Sequence, residues 1–365
     1  MHCICDRIAL NEALQVLQSI IGTNSTLPIL TNVLMEITET KELALTSTNL
    51  EVGIQFKLEA EIIEPGICTL PCKKMFEITR ELIGDKVEIE ISSDNIGIIK
   101  CANGVYRLMG MAGDEFPRLP RLSKINSIKI NENTLKSLLK KTAYAISSDE
   151  TRYVLNGVYF IISKGDIVVV ATDGRRLAMV SKKEIADPSL EVDIIIPAKT
   201  VNELMRVLSG DDPIEMLFSE TQVGFQRDNM LMVSRLIEGK FPKYEQVIPK
   251  SSREKVNLDR EEFLSLVRRV ALMTNAKSSQ LRFRFHDGCL TVTASNPEIG
   301  EAKDDMGIEY KGDDFSIAFN PVYMQDALKA LDDEKVTLEL SEPTLPGVIK
   351  VDDTFTYVIM PMKLK

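Results

Sequence analysis

Apolar residues recur at helical spacing in six stretches of the chain, and the polar residues between them fall on the opposite face. Placed at 100° intervals, Leu135, Leu138, Leu139, Thr142 and Ile146 share one side of a helix predicted over 131–146, with Lys136, Lys140 and Lys141 on the other. A helix over 73–83 turns Met75, Ile78, Thr79 and Leu82 inward, and Lys73 and Arg80 outward. In 259–273 the inward set is Phe263, Val267 and Val270, against Arg268 and Arg269. Helices are also expected over 11–21, 199–208 (Lys199 and Arg206 outward) and 322–331. Between the helices the period changes to two, as in Arg282-Phe283-Arg284-Phe285 and Thr337-Leu338-Glu339-Leu340, broken by turn signals at Pro65-Gly66, Asp287-Gly288 and Pro346-Gly347. Runs of alternating strands beside a few amphipathic helices predict an α+β fold, antiparallel sheet packed on helices. One residue breaks the pattern: Leu272 falls on the polar side of its helix, beside Met273, which suggests either a subunit contact or a frayed helix end packing locally.

The pattern repeats. Each of three copies opens with a helix, continues through strands and a polar turn, and closes with a second helix followed by an acidic turn and a strand. The polar turn is Thr46-Ser47-Thr48-Asn49-Leu50-Glu51 in the first copy, Ala171-Thr172-Asp173-Gly174-Arg175-Arg176 in the second and Thr293-Ala294-Ser295-Asn296-Pro297-Glu298 in the third. Asp173-Gly174 between β-branched runs predicts a type I′ hairpin, with both central residues at φ > 0. Phe116-Pro117 and Phe241-Pro242 recur near the ends of the first two copies. A period of about 125 residues means tandem domains, since solenoid repeats run to about 20–50. Domains are therefore expected at 1–124, 125–252 and 253–365, each with two helices and about eight short strands.

Composition narrows the chemistry. The chain has 365 residues and a net charge of −10, which argues against coating nucleic acid through bulk charge. It leaves room for a local basic lining, and Lys and Arg gather on the outer faces of four helices. A common surface made of those faces would be a track for phosphates, without the aromatic residues that stack bases. No apolar run is long enough to span a membrane, and the first residues lack the regions of a signal peptide, which points to the cytoplasm. The six cysteines lack zinc-site spacing and read as free thiols. The acidic pairs sit mostly at turns, where Asp is favoured on its own account, so no metal site is expected. With only His2 and His286, and no nucleophile, Walker or dinucleotide motif, the chain is not expected to be an enzyme or to need a cofactor.

Five segments then carry a resemblance: Thr26-Leu27-Pro28-Ile29-Leu30, Arg152-Tyr153-Val154-Leu155-Asn156-Gly157, Ala171 to Ala178 around the Thr-Asp-Gly turn, Phe241-Pro242-Lys243-Tyr244, and the terminal Tyr357-Val358-Ile359-Met360-Pro361-Met362-Lys363-Leu364. Together, in this order and along the whole chain, they resemble the bacterial DNA polymerase III β sliding clamps. The resemblance implies a head-to-tail homodimer of three-domain chains, a six-domain ring whose helices line the hole. Such a ring is a processivity factor in DNA replication. It would encircle double-stranded DNA without reading sequence, and tether the replicative polymerase, the clamp loader and other proteins bearing a clamp-binding motif, with no catalysis of its own.

By the same resemblance, partner peptides would enter a pocket made by Leu155, Thr172, Gly174, Arg175, Arg176, Leu177, Pro242, Val247, Asn320, Tyr323, Val358, Met360, Pro361 and Met362. DNA would face Arg7, Lys73, Arg80, Lys136, Lys140, Lys199, Arg206 and Arg268. The subunit contact would set Leu272 and Met273 against Tyr106 and Leu108. The chain departs from the family pattern at Asn24 and Gln246, where Arg is usual, at Arg175, where His is common, and at Ser278, where a bulkier residue can wall the pocket. Lys365 extends one residue beyond the usual leucine. Two other classes remain: a three-domain scaffold that binds peptides without encircling DNA, and an enzyme of nucleotide metabolism. The first predicts a monomer, and the second a pocket with titratable groups.

Overall fold

A computed structural model describes residues 1–21, 27–37, 42–120, 122, 126–275 and 280–364; Asn24, Thr26, Ser278 and Lys365 lie outside them. Among the described residues six α-helices stand where the apolar periodicity puts them: α1 (Arg7–Ile20), α2 (Cys72–Glu81), α3 (Glu132–Lys140), α4 (Ala198–Val207), α5 (Arg260–Ala271) and α6 (Pro321–Ala330). Two boundaries differ from expectation by more than two residues. Helix α1 begins four residues early, because the Asp6 carboxylate caps it by accepting from Ala9 N at 2.8 Å. Asp259 caps α5 in the same way through Glu262 N. Helix α3 ends at Lys140 instead of Ile146, and the chain continues as a 3₁₀ turn over Ala143–Ala145. There the Thr142 hydroxyl donates to the Leu138 carbonyl at 3.0 Å and competes with the helical ladder.

By backbone proximity the chain forms two units, Met1–Asn133 with Asn202–Leu236, and Thr134–Val201 with Ile237–Lys365. The sequence repeats are cut differently, since the second repeat contributes to both units.

In the first unit a long antiparallel ladder runs Asn126–Asn131, Pro213–Phe218, Gln222–Arg227, Met230–Arg235, Val52–Glu64, His2–Asp6, Lys86–Ile91, Ile96–Cys101, Gly104–Met109. The 13-residue strand Val52–Glu64 serves twice, pairing Val52–Phe56 with Met230–Ser234 and its far end with His2–Cys5. Helices α1 and α2 lie together, with the Thr79 hydroxyl on Asn11 Oδ1. Their inward faces are Leu10, Leu14, Leu17 and Ile20, and Cys72, Met75 and Thr79. Leu82 is buried as expected, just past the end of α2. Cys3, Cys5, Cys68, Cys72 and Cys101 are buried. Burial pushes the Cys3 thiol up to about 11 and Cys72 to about 12, so these sulfurs pack as apolar groups.

The second unit holds an eight-stranded sheet, Val192–Pro197, Gly157–Ser163, Asp166–Thr172, Arg176–Lys182, Phe355–Ile359, Gly347–Val351, Lys335–Leu340, Glu254–Asp259, and a four-stranded one, Gly300–Gly307, Cys289–Asn296, Leu281–His286, Phe315–Phe319. Helices α5 and α6 pack together, α5 through Phe263, Leu266, Val267 and Val270.

The repeat survives at atomic level. Val52 opposes Ser234 as Arg176 opposes Ile359, and Glu51 O accepts from Arg235 N as Arg175 O accepts from Met360 N. The polar turns share their chemistry as well. Asn49 Oδ1 accepts from the N–H groups of Glu51 and Val52, and Asp173 Oδ1 from those of Arg175 and Arg176. In the third copy Asn296 Oδ1 accepts from Glu298 N. The left-handed residue is Leu50 (φ 75°) in the first turn and Gly174 (φ 83°) in the second. Pro297 cannot adopt that conformation, and Gly300 (φ 132°) carries it in the third.

Candidate partner-binding site

The turn after Asp166–Thr172 is not the type I′ hairpin expected from Asp173-Gly174. Thr172 pairs with Leu177, leaving a four-residue loop in which Gly174 has positive φ and Asp173 does not. The Asp173 carboxylate is the reason: by holding two following N–H groups it shapes a longer side-chain-capped turn, which the Thr172 hydroxyl closes by donating to Arg176 O at 2.6 Å. Asp287-Gly288 is the true two-residue case. His286 pairs with Cys289 across it, and both residues have positive φ.

This turn presents Gly174 and Arg175 to solvent and sends Arg176 inward. The Arg176 side chain is only 10% exposed. Its Nε contacts Asp173 Oδ2 at 3.1 Å, Nη1 reaches Asp326 Oδ2 at 2.7 Å, and Nη2 donates to Tyr144 O at 2.5 Å. The guanidinium lies 4.4 Å from the centre of the Tyr323 ring. Burial alone would favour losing its proton, but the Asp326 hydrogen bond and the Asp173 charge hold it more firmly protonated than usual. Asp326 and Tyr144 carried no signal in the sequence.

The C-terminal segment runs beside the turn. After Phe355–Ile359 pairs with Arg176–Lys182, Met360 N donates to Arg175 O at 3.0 Å, Met362 N to Ala318 O at 2.8 Å, and Gln280 Nε2 to Lys363 O at 2.8 Å. Backbone bonds thus pin the segment and leave Met360 44% exposed, with Pro361 and Met362 half-buried. Asn320 uses its side-chain oxygen to cap α6 at Val322 N. Tyr323 is half-buried, and its carbonyl accepts from Tyr357 OH at 2.9 Å.

Leu155, Leu177 and Val358 are all buried. Leu177, Val358 and Val170 make one cluster, covered by Tyr159, Phe241, Tyr244 and Ile248, with Phe241 stacked on Tyr159 at 4.7 Å between ring centres. Pro242 is exposed on the same linker, and so is Val247. Val247 and Met360 line a cavity of about 370 Å³ with Ile248, Ser341, Leu345 and Pro346. The last four were not expected. Pro346-Gly347 reads in the sequence only as a turn, and the available signal was Leu345, an apolar residue within it.

The eight basic residues assigned to DNA stand on helices, Arg7 only because α1 begins earlier than expected, and several are already engaged. Lys140 meets Asp332 at 2.8 Å, Arg206 meets Glu203 at 2.8 Å and Arg80 meets Glu81 at 3.0 Å. Asp332 is held below the usual carboxylate range, first by its Lys140 hydrogen bond. Lys73, Lys199 and Arg268 are exposed and Lys136 is half-buried. Arg7 donates from Nε to Gly84 O at 2.6 Å, tying the start of α1 to the acidic turn after α2. Arg260 makes the matching tie to Asp333 O, so Arg7 has a structural task of its own.

Tyr106 and Leu108 lie on Gly104–Met109, an edge strand that also exposes Val105 and Met109. Leu272 caps the end of α5 and is 75% exposed, with Met273 half-buried beside it. Among the described residues no group of three or more His, Cys, Asp or Glu side chains is placed to hold a metal ion. No helix among them is long and apolar enough to cross a membrane.

Family models for the N-terminal, central and C-terminal domains of the DNA polymerase III beta subunit match residues 1–120, 129–243 and 245–363. The beta sliding clamp of Chlamydia muridarum is 36% identical over 364 residues, covering 100% of this chain and 99% of the relative. That of Pseudomonas aeruginosa is 30% identical over 369 residues and fully covered. The solved DNA polymerase sliding clamp of Bacillus subtilis superposes over 100% of both chains with a TM-score of 0.95 at 26% identity. The DNA polymerase III subunit beta of Pseudomonas aeruginosa does so at 0.94 and 30%. One domain type recurring three times, matched end to end in sequence and in structure, makes this chain a member of the DNA polymerase III beta subunit family.

Proposed function

We infer that this protein is a DNA sliding clamp, a processivity factor for the replicative polymerase. The observation that carries the reading is the threefold recurrence of one clamp domain along the whole chain. Two copies close head to tail into a ring around duplex DNA, in the cytoplasm. The protein makes and breaks no bond; a closed ring stays on DNA because of its topology. A tethered polymerase then returns to the primer end at high effective concentration.

The domains are taken as 1–124, 125–252 and 253–365. Arg7, Lys73, Arg80, Lys136, Lys140, Lys199, Arg206 and Arg268 are the proposed phosphate contacts, Arg7 with only part of its guanidinium available. The dimer contact sets Tyr106 and Leu108 of one copy against Leu272 and Met273 of the other. An edge strand with exposed apolar side chains is a surface that natural proteins leave open only when something covers it, which supports this assignment. Partner peptides dock on Met360, Pro361, Met362, Val247 and Pro242, over the floor of Leu155, Leu177 and Val358 and beside Thr172, Gly174, Arg175, Asn320 and Tyr323. Adaptable apolar side chains fixed by a bonded backbone suit a short apolar peptide.

The test is retention on nicked circular DNA after loading by the cognate loader with ATP. Loss of the protein on a single linearising cut, and retention when the ends are blocked, is the expected result. Retention regardless of ends would mean ordinary binding and would overturn the ring.

A further inference from the structure

Within the peptide-docking reading, Arg176 is the residue whose surroundings least resemble a contact. Its side chain is buried and every nitrogen has a partner inside the protein: Asp173 on the turn, Asp326 on α6 and the Tyr144 carbonyl. Its flat face is taken by Tyr323, one turn before Asp326 on the same helix, and Tyr144 approaches at 5.6 Å. Three of its five N–H donors are committed in this way, on a side chain only 10% exposed.

What it joins is informative. Asp173 shapes the turn that positions Thr172, Gly174 and Arg175, and through Arg175 O the turn also holds Met360. Helix α6 carries Asn320 and Tyr323 and, through the Tyr323 carbonyl, holds Tyr357 of the terminal strand. Arg176 is therefore the bolt between the two walls of the site, and Asp326 is its anchor on the far wall.

We propose that Asp326 is a positioning residue of the peptide site: through Arg176 it fixes α6 against the 173–177 turn, so that the docking surface exists before a peptide arrives. The inference rests on the docking reading above and assigns it a residue that touches no peptide. Without the anchor, Arg176 keeps Asp173, the Tyr144 carbonyl and its stacking on Tyr323 but loses its charged bond to α6, and the open, competent surface becomes one conformation among several. Apparent affinity then falls by the competent fraction. The loss appears in the association rate, whereas loss of a direct contact appears mainly in dissociation.

The experiment uses the full-length protein and a fluorescein-labelled peptide of seven residues built around two leucines and a phenylalanine, read by anisotropy and stopped flow. Asp326→Ala is expected to weaken binding about tenfold, within the range of coupling for residues in one network, with most of the change in association. Asp326→Asn keeps the volume and one acceptor and should lose less. Combining Asp326→Ala with Arg176→Ala should cost little more than Arg176→Ala alone, since both cut the same bolt. Thermal melting and retention on nicked circular DNA identify a variant that has simply failed to fold, and Asp326→Asn then carries the test. Wild-type affinity and association rate in a folded Asp326→Asn and Asp326→Ala overturn the inference while leaving the docking site intact. A loss confined to the dissociation rate also overturns it. A wild-type protein that binds no such peptide removes the docking reading and the inference together.

Discussion

Gly53 offers a sharp test of how the repeats were fitted to different neighbours. It faces Val233 in the first unit as Leu177 faces Val358 in the second, so one position holds no side chain in one repeat and a full leucine in another. The reason is the linker. A Cβ on Gly53 would fall within the van der Waals envelope of Leu119 Cδ2, and a Cβ on Gly224 would lie 2.5 Å from Leu122 Cδ1, so two linker leucines occupy room that two glycines vacate. Gly53→Ala forces Leu119 off its rotamer or the strand off its line, an overpacking cost of about 1–3 kcal/mol. Reduced freedom of the unfolded chain returns about 0.4–1 kcal/mol. The net loss is about 1 kcal/mol, a drop of about 2–4 °C in melting temperature for a body of this size. In a Leu119→Ala background the obstruction is gone, and the same substitution should become neutral or slightly stabilising. Calorimetric melting of the four proteins of this double-mutant cycle gives the coupling directly. Equal destabilisation by Gly53→Ala in both backgrounds, or none in either, would refute the argument.

Other predictions follow from single contacts. Glu132 is fully buried and accepts from Arg227 at 2.6 Å and from the N–H groups of Ser209 and Gly210. Burial alone would raise its pKa, but Gly210, Arg227 and Ser209 together hold it below the usual value. A carboxyl held down in the folded state contributes stability above its unfolded pKa of about 4.3, and that contribution is lost as pH falls through the folded value. Glu132→Gln should therefore lower the urea midpoint at pH 7 and flatten its fall in acid; an unchanged acid limb would count against the pairing. Leu272→Asp, placed on the exposed end of α5, should turn a dimer into a monomer in sedimentation with little change in melting, and an unshifted dimer would move the contact elsewhere. Met362→Ala, or removal of 360–365, should abolish peptide binding in calorimetry while leaving the dimer intact; unchanged affinity would sink the docking assignment.

Periodicity located the six helices among the described residues because each needs one apolar face whatever else surrounds it; the Asp6 cap explains the early start of α1, and the Thr142 hydroxyl the early end of α3. The α+β class and the repeat were legible for the same reason: they are local patterns copied three times. The turn at Asp173 was misread because Asp-Gly signals a two-residue turn only when the Asp side chain stays out of the backbone's hydrogen bonding. Arg176 was identified only through resemblance, and its work was invisible because Asp326 lies 150 residues away. Leu345 and Pro346 were missed because a turn between strands carries no periodic signal to place it beside Met360. Contacts between distant segments are what a chain pattern does not encode.

The charge of the chain also becomes intelligible. A net charge of −10 is a poor match for a DNA-binding surface if affinity is the aim. The ion pairs suggest a different aim. Lys140, Arg206 and Arg80 each hold a carboxylate of their own protein, at 2.8, 2.8 and 3.0 Å. The Lys140 and Arg80 pairs are exposed on both sides, and such pairs contribute about 0.2–1 kcal/mol, so at these proposed contacts a passing phosphate can take the carboxylate's place for little cost and give it back as readily; Arg206 differs, because its Glu203 partner is buried. If Lys140 and Arg80 meet DNA as proposed, each such contact is an exchange of one anion for another, nearly level in free energy. A protein that depended on such contacts to stay on DNA would fall off. A ring held by topology, as proposed above, does not depend on them, and shallow contacts are then an advantage, because a phosphate released from Lys140 or Arg80 in the next step of sliding has a carboxylate waiting to replace it.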